Sequence, residues 1–232
     1  MGASIMLRVW VVLPAYNEAS NLPALLNDMR EAFEESRDLE GHVIVIDDGS
    51  TDDTFRVASS PPAGLHVTVL QNERNRGLGE TFKRGMLEAM KHASPRDVIV
   101  TMDADHTHLP GLIVRMVRMV REGRDVVIAS RFVVGAVVRG VPVHRQVLSR
   151  GMSALFRGVL PIDNVRDFSS GYRAYRAGML QEAAARFGAQ LFDQAGFVCM
   201  VDILIKLDQV GAIMGEVPLV LRYDQKDSPS KY

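Results

Sequence analysis

The sequence contains a single cysteine, no apolar run long enough to cross a bilayer, and almost no net charge. Each shortage excludes something. One cysteine, Cys199, cannot make a disulfide framework; it lies in the apolar run 196–201 and is expected to be a small buried hydrophobe. The longest apolar stretch, near 126–143, is broken by Arg131 and Arg139, whereas a spanning helix needs roughly twenty consecutive apolar residues. With 27 Lys and Arg against 28 Asp and Glu, the formal net charge is −1. No whole-chain field therefore selects nucleic acid or a membrane, and no nucleic-acid partner is expected. A secretory leader is not recognisable, which together with the lone cysteine favours a cytoplasmic setting. Internal repeats and low-complexity tracts are also missing.

The 232 residues, 47% of them apolar, suit one large domain with a sizeable core. Short β-branched runs at 8–13, 42–46, 67–70, 98–102 and 126–129 read as strands. Between them lie segments of helical period. Leu22, Leu25, Leu26, Met29 and Phe33 follow a cap at Ser20 or Asn21, a short helix starts near Asp52, and further helices cover 79–92 and 112–120. This βα alternation predicts an α/β fold, with a mixed, mostly parallel sheet flanked by helices. The second half is less regular. It offers a basic amphipathic helix over 144–160, a polar glycine-broken stretch at 166–176, a helix over 197–207 and a last strand at 217–221.

Three polar clusters fall at predicted strand ends, where ligands bind in such folds. Asp103-Ala104-Asp105 follows the fourth strand. Two carboxylates this close repel one another unless a cation joins them, and hard oxygen ligands suit Mg²⁺ or Mn²⁺. His106 and His108 flank Thr107; alternation points them to opposite faces, so a structural role is preferred to metal ligation for each. The run 47–53, DDGSTDD, ends the second strand. Asp52 and Asp53 suit a helix start, and Asp48 suits a base edge or ribose. Pro14-Ala15-Tyr16-Asn17-Glu18 ends the first strand, where Tyr16 is placed to pack on a base and Glu18 to accept from it. Each cluster alone also reads as a turn or cap; their shared location is the argument. Asn75-Arg76-Gly77-Leu78-Gly79 opens a helix without the spacing of a dinucleotide fingerprint or P-loop. Arg131, Arg145, Arg150, Arg157, Arg222, Lys226 and Lys231 supply phosphate-binding chemistry to the second half.

The motifs LPAYNE (13–18), DDGSTDDT (47–54), GLG (77–79), MDADHTH (102–108), SR (130–131), SSGYR (169–173), GEVP (215–218) and SK (230–231) together resemble family 2 glycosyltransferases of the GT-A, Rossmann-like fold. Within that family they are most similar to the dolichol-phosphate mannosyltransferases. The resemblance implies a nucleotide-binding half over about 1–130 and an acceptor-binding half over about 131–232. Pro14, Ala15, Tyr16, Glu18, Asp48 and Asp103 would hold the nucleotide. Asp103, Asp105 and Thr107 would hold the metal, and Arg131, Arg145, Ser149, Arg222 and Lys231 the acceptor phosphate. It further implies inverting transfer from a nucleotide sugar, GDP-mannose, to a polyprenyl phosphate. The enzyme would work peripherally at the cytoplasmic membrane face, with room for a membrane-anchoring subunit. His106 stands where that group carries an apolar residue. A hydroxyl acceptor is the alternative; it would require a base, for which Asp202 is the candidate. A non-catalytic nucleotide-sugar-binding protein is the third reading.

Overall fold

A computed structural model describes residues 6–139, 151, 153, 155–160 and 162–222. Its centre is a seven-stranded sheet in the order β3-β2-β1-β4-β7-β5-β8. The strands are β1 (Leu7–Ala15), β2 (Leu39–Asp47), β3 (His66–Gln71), β4 (Val98–Thr101), β5 (Val126–Ser130), β7 (Arg173–Arg176) and β8 (Met214–Pro218). All neighbours pair in parallel except β7, which is antiparallel to both β4 and β5. Two shorter strands, β6 (Val137–Arg139) and β9 (Val220–Arg222), pair in parallel beside it.

Side chains alternate across each strand, so a sheet covered on both faces must be apolar on both. Val9, Val11 and Leu13 of β1, with Val43, Val45, Val98 and Val100, face one layer. That layer holds α1 (Leu22–Glu35), α2 (Thr54–Ala58) and α4 (Leu112–Arg121). Trp10, Val12, Ile44, Ile46 and Ile99 face the other. There they meet α3 (Leu78–His92), α5 (Ala177–Phe187) and α6 (Val198–Gln209). Cys199 is buried in this second layer, and burial pushes its thiol up to about 11, the behaviour of an inert core residue.

Strands and helices in the first 130 residues fall where hydrophobic period predicts them. The second half departs in three places. The segment 166–176, expected to be irregular, contributes a central strand. The chain leaves the carboxyl end of β5 at Ser130 and enters β7 at Arg173, whose register places it beside Ile128 and Thr101 near that same end, so β7 runs backwards. Its period is hidden by two arginines, of which Arg173 is fully buried. The guanidinium is accommodated because it donates to the carbonyls of Met200 (2.5 Å) and Phe168 (2.7 Å). Helix α5 was not foreseen. The single strand expected at 217–221 divides at Leu219: β8 stays beside β5, and β9 turns aside to β6. The basic helix expected over 144–160 lies partly outside the described residues, although 155–159 are helical.

Helix α3 approaches the 194–196 loop very closely at Gly79. A Cβ there would lie 2.8 Å from the Gln194 carbonyl oxygen and 2.9 Å from Ala195 Cα and Gly196 N. Gly79→Ala gains at most about 1 kcal/mol of helix propensity, but overpacking against backbone costs about 1–3 kcal/mol. The variant is expected to unfold at lower urea concentration than the parent, with a net loss of about 1 kcal/mol.

Candidate active site

The carboxyl ends of β1, β4 and β5 open onto one cleft. Its walls include Pro14, Tyr16 and Glu18 after β1, Asp103, Ala104, Asp105, Thr107 and His108 after β4, and Arg131 after β5. Ser169, Ser170 and Gly171 line it just ahead of β7, and Leu78, Phe197, Leu219 and Leu221 complete it.

The turn after β1 is tied to the turn after β2. Asn17 sits in the left-handed region (φ 55°), a conformation that asparagine tolerates better than most residues. Its amide donates to Ser50 Oγ (2.9 Å), and its side-chain oxygen accepts from the Thr51 amide (2.8 Å). The Glu18 amide donates to Thr54 Oγ1 (2.8 Å), and its Oε2 accepts from Asn21 Nδ2 (2.6 Å). Thus Asn21, the residue before α1, orients Glu18 instead of capping the helix with its side chain. Ala15 is fully buried and does not line the cleft. Asp48 departs further from expectation. It is also fully buried, and its carboxylate accepts from Asn72 Nδ2 (2.7 Å) and from the amides of Arg76 and Gly77 (both 2.9 Å). In this arrangement it holds the 72–77 loop over α3 and does not line the cleft.

Asp103 and Asp105 lie on one wall. Thr107 points its hydroxyl (2.7 Å) and amide (3.2 Å) at Asp105 Oδ1, so it orients a carboxylate. His108 is 5% exposed, stacks on Tyr172 at 5.0 Å and accepts from the Asp103 amide through Nδ1 (3.4 Å). Its Nε2 is 4.0 Å from Asp103 Oδ2. His106 does not line the cleft. Both histidines therefore take the structural role expected of them. Gly171 comes within reach of the same carboxylate: a Cβ there would lie 3.4 Å from Asp103 Oδ1. The donor set is hard, anionic and open to the cleft, which fits Mg²⁺ or Mn²⁺. Among the described residues, no three or more His, Cys, Asp or Glu gather to hold an ion by themselves. Substrate phosphate oxygens and water would have to complete the shell, as is common for Mg²⁺.

Arg131, which lines the same cleft, is fixed by an acid that sequence reading passed over. Its Nε (2.8 Å) and Nη2 (2.7 Å) fork onto both oxygens of Asp167, and its amide donates to Asp167 Oδ2 (3.0 Å). Nη2 also donates to Ser169 Oγ (2.6 Å). Burial works against the charge on Asp167, but the hydrogen bond and charge of Arg131 outweigh it and hold the carboxyl below its ordinary range. Glu216, from β8, accepts the amides of Arg166 and Asp167 (both 2.8 Å), and burial pushes its own carboxyl up. Asp167 stands two residues ahead of the SSGYR motif. That proximity was the available signal, but nothing in the sequence sets it opposite a residue 36 positions away.

The remaining expectations divide. Arg145, Ser149 and Lys231 lie outside the described residues. Arg222 is placed by its backbone at the end of β9, opposite Arg139 and next to the cleft residue Leu221. Asp202 does not line the cleft. It lies on α6, ion-paired to Lys206 (2.5 Å), which also holds Asp193 (2.9 Å). A base for a hydroxyl acceptor has to reach the reacting oxygen, directly or through one water, and this placement does not provide one.

Removing one partner of a buried pair costs about 3–5 kcal/mol. Arg131 is 25% exposed, which screens part of that, so Asp167→Asn is expected to lose about 2–3 kcal/mol in urea unfolding at pH 7. The folded-state pKa of Asp167 is depressed. Its contribution is therefore present above the unfolded value, about 3.9, and fades as pH falls through the lower folded value. The gap between variant and parent should narrow in acid. Glu216 has the opposite sign, since its stabilisation is lost as pH rises through its raised folded value.

Residues 10–183 match the family described as Glycosyl transferase family 2. The dolichol-phosphate mannosyltransferase of Pyrococcus furiosus is 32% identical over 201 residues, covering 86% of this chain and 53% of its own length. The polyprenol monophosphomannose synthase of Mycolicibacterium smegmatis is 31% identical, with 91% of this chain and 76% of the relative covered. For the undecaprenyl-phosphate mannosyltransferase of Micrococcus luteus the values are 33%, 92% and 83%. The chain thus spans about half the length of the Pyrococcus protein and more of the other two. Among solved structures, glucosyl-3-phosphoglycerate synthase of Mycobacterium tuberculosis, in complex with Mn²⁺, UDP and glucosyl-3-phosphoglycerate, superposes with a TM-score of 0.63. It is 23% identical, with 92% of this chain and 70% of that one covered. S. aureus TarS gives 0.59 at 19% identity, covering 92% and 59%. These two likenesses show the fold, a GT-A arrangement. With three quarters of its length matched, the chain belongs to glycosyl transferase family 2 and is a glycosyltransferase.

Proposed function

We propose that the protein catalyses inverting, metal-dependent transfer of a hexose, mannose from GDP-mannose, to a polyprenyl phosphate at the cytoplasmic face of a membrane. One observation carries most of the weight: one cleft is lined by two carboxylates and by an arginine whose fork is locked by a buried aspartate. Carboxylates with a divalent ion suit a leaving diphosphate, and an oriented guanidinium suits an incoming phosphate. The activities for which the three relatives are named support the lipid-phosphate acceptor.

In the reaction an acceptor phosphate oxygen attacks the sugar's anomeric carbon from the face opposite the nucleotide. The carbon–oxygen bond to the diphosphate breaks, and the nucleoside diphosphate leaves with the electron pair. The attacking phosphate is already anionic near neutral pH, so no proton has to be removed. Asp103 and Asp105 would hold Mg²⁺ or Mn²⁺, which when bound neutralises charge on the leaving group. Thr107 and His108 keep those carboxylates in place. Pro14, Tyr16 and Glu18 would form the nucleotide edge, with the buried Ala15 behind them. Arg131, oriented by Asp167, draws in the acceptor phosphate with Arg145, Ser149, Arg222 and Lys231, and its main contribution is alignment of the attacking oxygen.

The surroundings of the cleft suit an acceptor that is half lipid. Phe197 lines the cleft and is 60% exposed, and the adjoining Val198 is 59% exposed. Leu155 and Val159 project from the helical 155–159 segment, which packs through Phe156 on Phe168. Among the described residues no helix is long and apolar enough to cross a membrane, so contact at the surface, with or without an anchoring subunit, is the arrangement proposed.

The test is transfer of labelled sugar from GDP-mannose, and separately UDP-glucose, to a short polyprenyl phosphate in detergent. Product that needs Mg²⁺ or Mn²⁺, disappears with EDTA and falls at least about 100-fold in Asp105→Asn is expected. Absence of lipid product from either donor would overturn the acceptor assignment. In the same assay Asp202→Asn should keep activity within about threefold of the parent, because a residue outside the cleft does not touch the transition state. A 100-fold loss there would return the hydroxyl-acceptor reading. Arg131→Lys, which keeps the charge but not the fork, should raise the acceptor KM about tenfold while leaving the donor KM near the parent value.

A further inference from the structure

His106 is one of three non-glycine residues with positive φ among those described, at 58°. It directly follows Asp105, and its ring reaches across to α1, where Nε2 donates to Asp28 Oδ2 at 2.8 Å over a sequence separation of 78. Histidine visits the left-handed region more readily than most side chains, but the conformation is still uncommon and here it coincides with a long-range contact of the ring. We propose that His106 and Asp28 form a latch that positions Asp105 toward the divalent ion, acting through the backbone of the 103–107 loop. The inference rests on the metal reading given above.

Three features support it. Thr107 already holds the carboxylate itself, its amide and hydroxyl both pointing at Asp105 Oδ1. The latch adds a fixed backbone at the residue between them, so the turn that carries the carboxylate is tied down at two successive positions. Next, α1 is the right anchor: at its start the amides of Asn21 and Leu22 donate to the Glu18 carbonyl and Asn21 Nδ2 donates to Glu18 Oε2, and Glu18 lines the same cleft. A bond from the Asp105 loop to α1 therefore ties the proposed metal wall to the proposed nucleotide edge. Finally, the pair adds little to global stability, because Asp28 is 41% and His106 20% exposed. A local, positional role is where such a contact has effect. His106 and Asp28 are positioning residues and touch no substrate in this assignment.

The test is a double-mutant cycle of His106→Ala, Asp28→Ala and both together, read in two ways. Hydrogen–deuterium exchange reports the amides of 103–107 in the protein alone. Mn²⁺ binding in the presence of GDP, followed by the EPR signal of free Mn²⁺, reports the consequence. Each single variant should exchange faster in that loop and bind Mn²⁺ about tenfold more weakly, the size typical of a lost partner behind a metal ligand. The double variant should be no worse than either single, since both remove the same contact. His106→Gly separates strain from contact: glycine adopts the backbone freely but has no ring, so the latch requires it to stay impaired. Recovery in His106→Gly, additive losses in the double variant, or loop exchange unchanged in both singles would each overturn the latch. If the parent itself binds no Mn²⁺ with GDP while Asp105→Asn behaves identically, the metal reading fails. The positioning role toward a metal then falls with it, and the exchange arm still decides whether the contact holds the loop.

Discussion

The pairing of Arg131 with Asp167 is the contact on which the cleft depends. A fully buried carboxylate is costly unless a cation and several hydrogen bonds meet it. Here the requirement is met by a guanidinium fork, the Arg131 amide and the Ser170 amide (3.1 Å). Because Asp167 cannot leave this position cheaply, the segment after it is fixed as well. Ser170 Oγ donates to the Ala129 carbonyl (2.7 Å), and the Gly171 carbonyl accepts from Thr101 Oγ1 (2.7 Å). The chain then enters the sheet as β7. The ion pair that aims an arginine at the cleft thus also sets where the second half of the chain rejoins the first.

That return is what makes one cleft out of two halves. A purely parallel arrangement would leave the ends of β4 and β5 as neighbours. Insertion of β7 between them brings the 169–171 turn onto the cleft wall, beside Asp103. Glu216, on β8, holds the backbone of Arg166 and Asp167 from the other side. Two carboxylates in the same buried region respond oppositely, Asp167 drawn down by its arginine and Glu216 pushed up by burial. Their contrast shows how a compensating charge, and not burial alone, decides which way a buried carboxyl shifts.

Much of the first half of the chain was legible in the sequence because its signal is periodic. Val9, Val11 and Leu13 alternate with Trp10 and Val12, and the helices repeat their apolar residues every three or four positions. The Asp103–Asp105 pair was legible for a different reason: two acids at the end of a buried run have few uses other than a cation or a cap. The second half resisted reading because its elements are held by polar contacts that leave no period. Arg173 in the middle of a buried strand looks like a surface residue until the carbonyls of Met200 and Phe168 are seen. Asp202 was a candidate base because related enzymes carry an acid in that helix, but here it pairs with Lys206 one turn on.

The sequence by itself determined the layered α/β plan, the position of the polar clusters at strand ends and the chemistry available there, since all three follow from local period and side-chain type. Tertiary structure decided the partners. Asp48 became the holder of a loop, Asp167 the holder of Arg131, and His106 a bridge to α1. The physical reason is common to these cases: a short polar side chain states what it can bond to, whereas the long-range folding of the sheet sets which group arrives within about 3 Å of it.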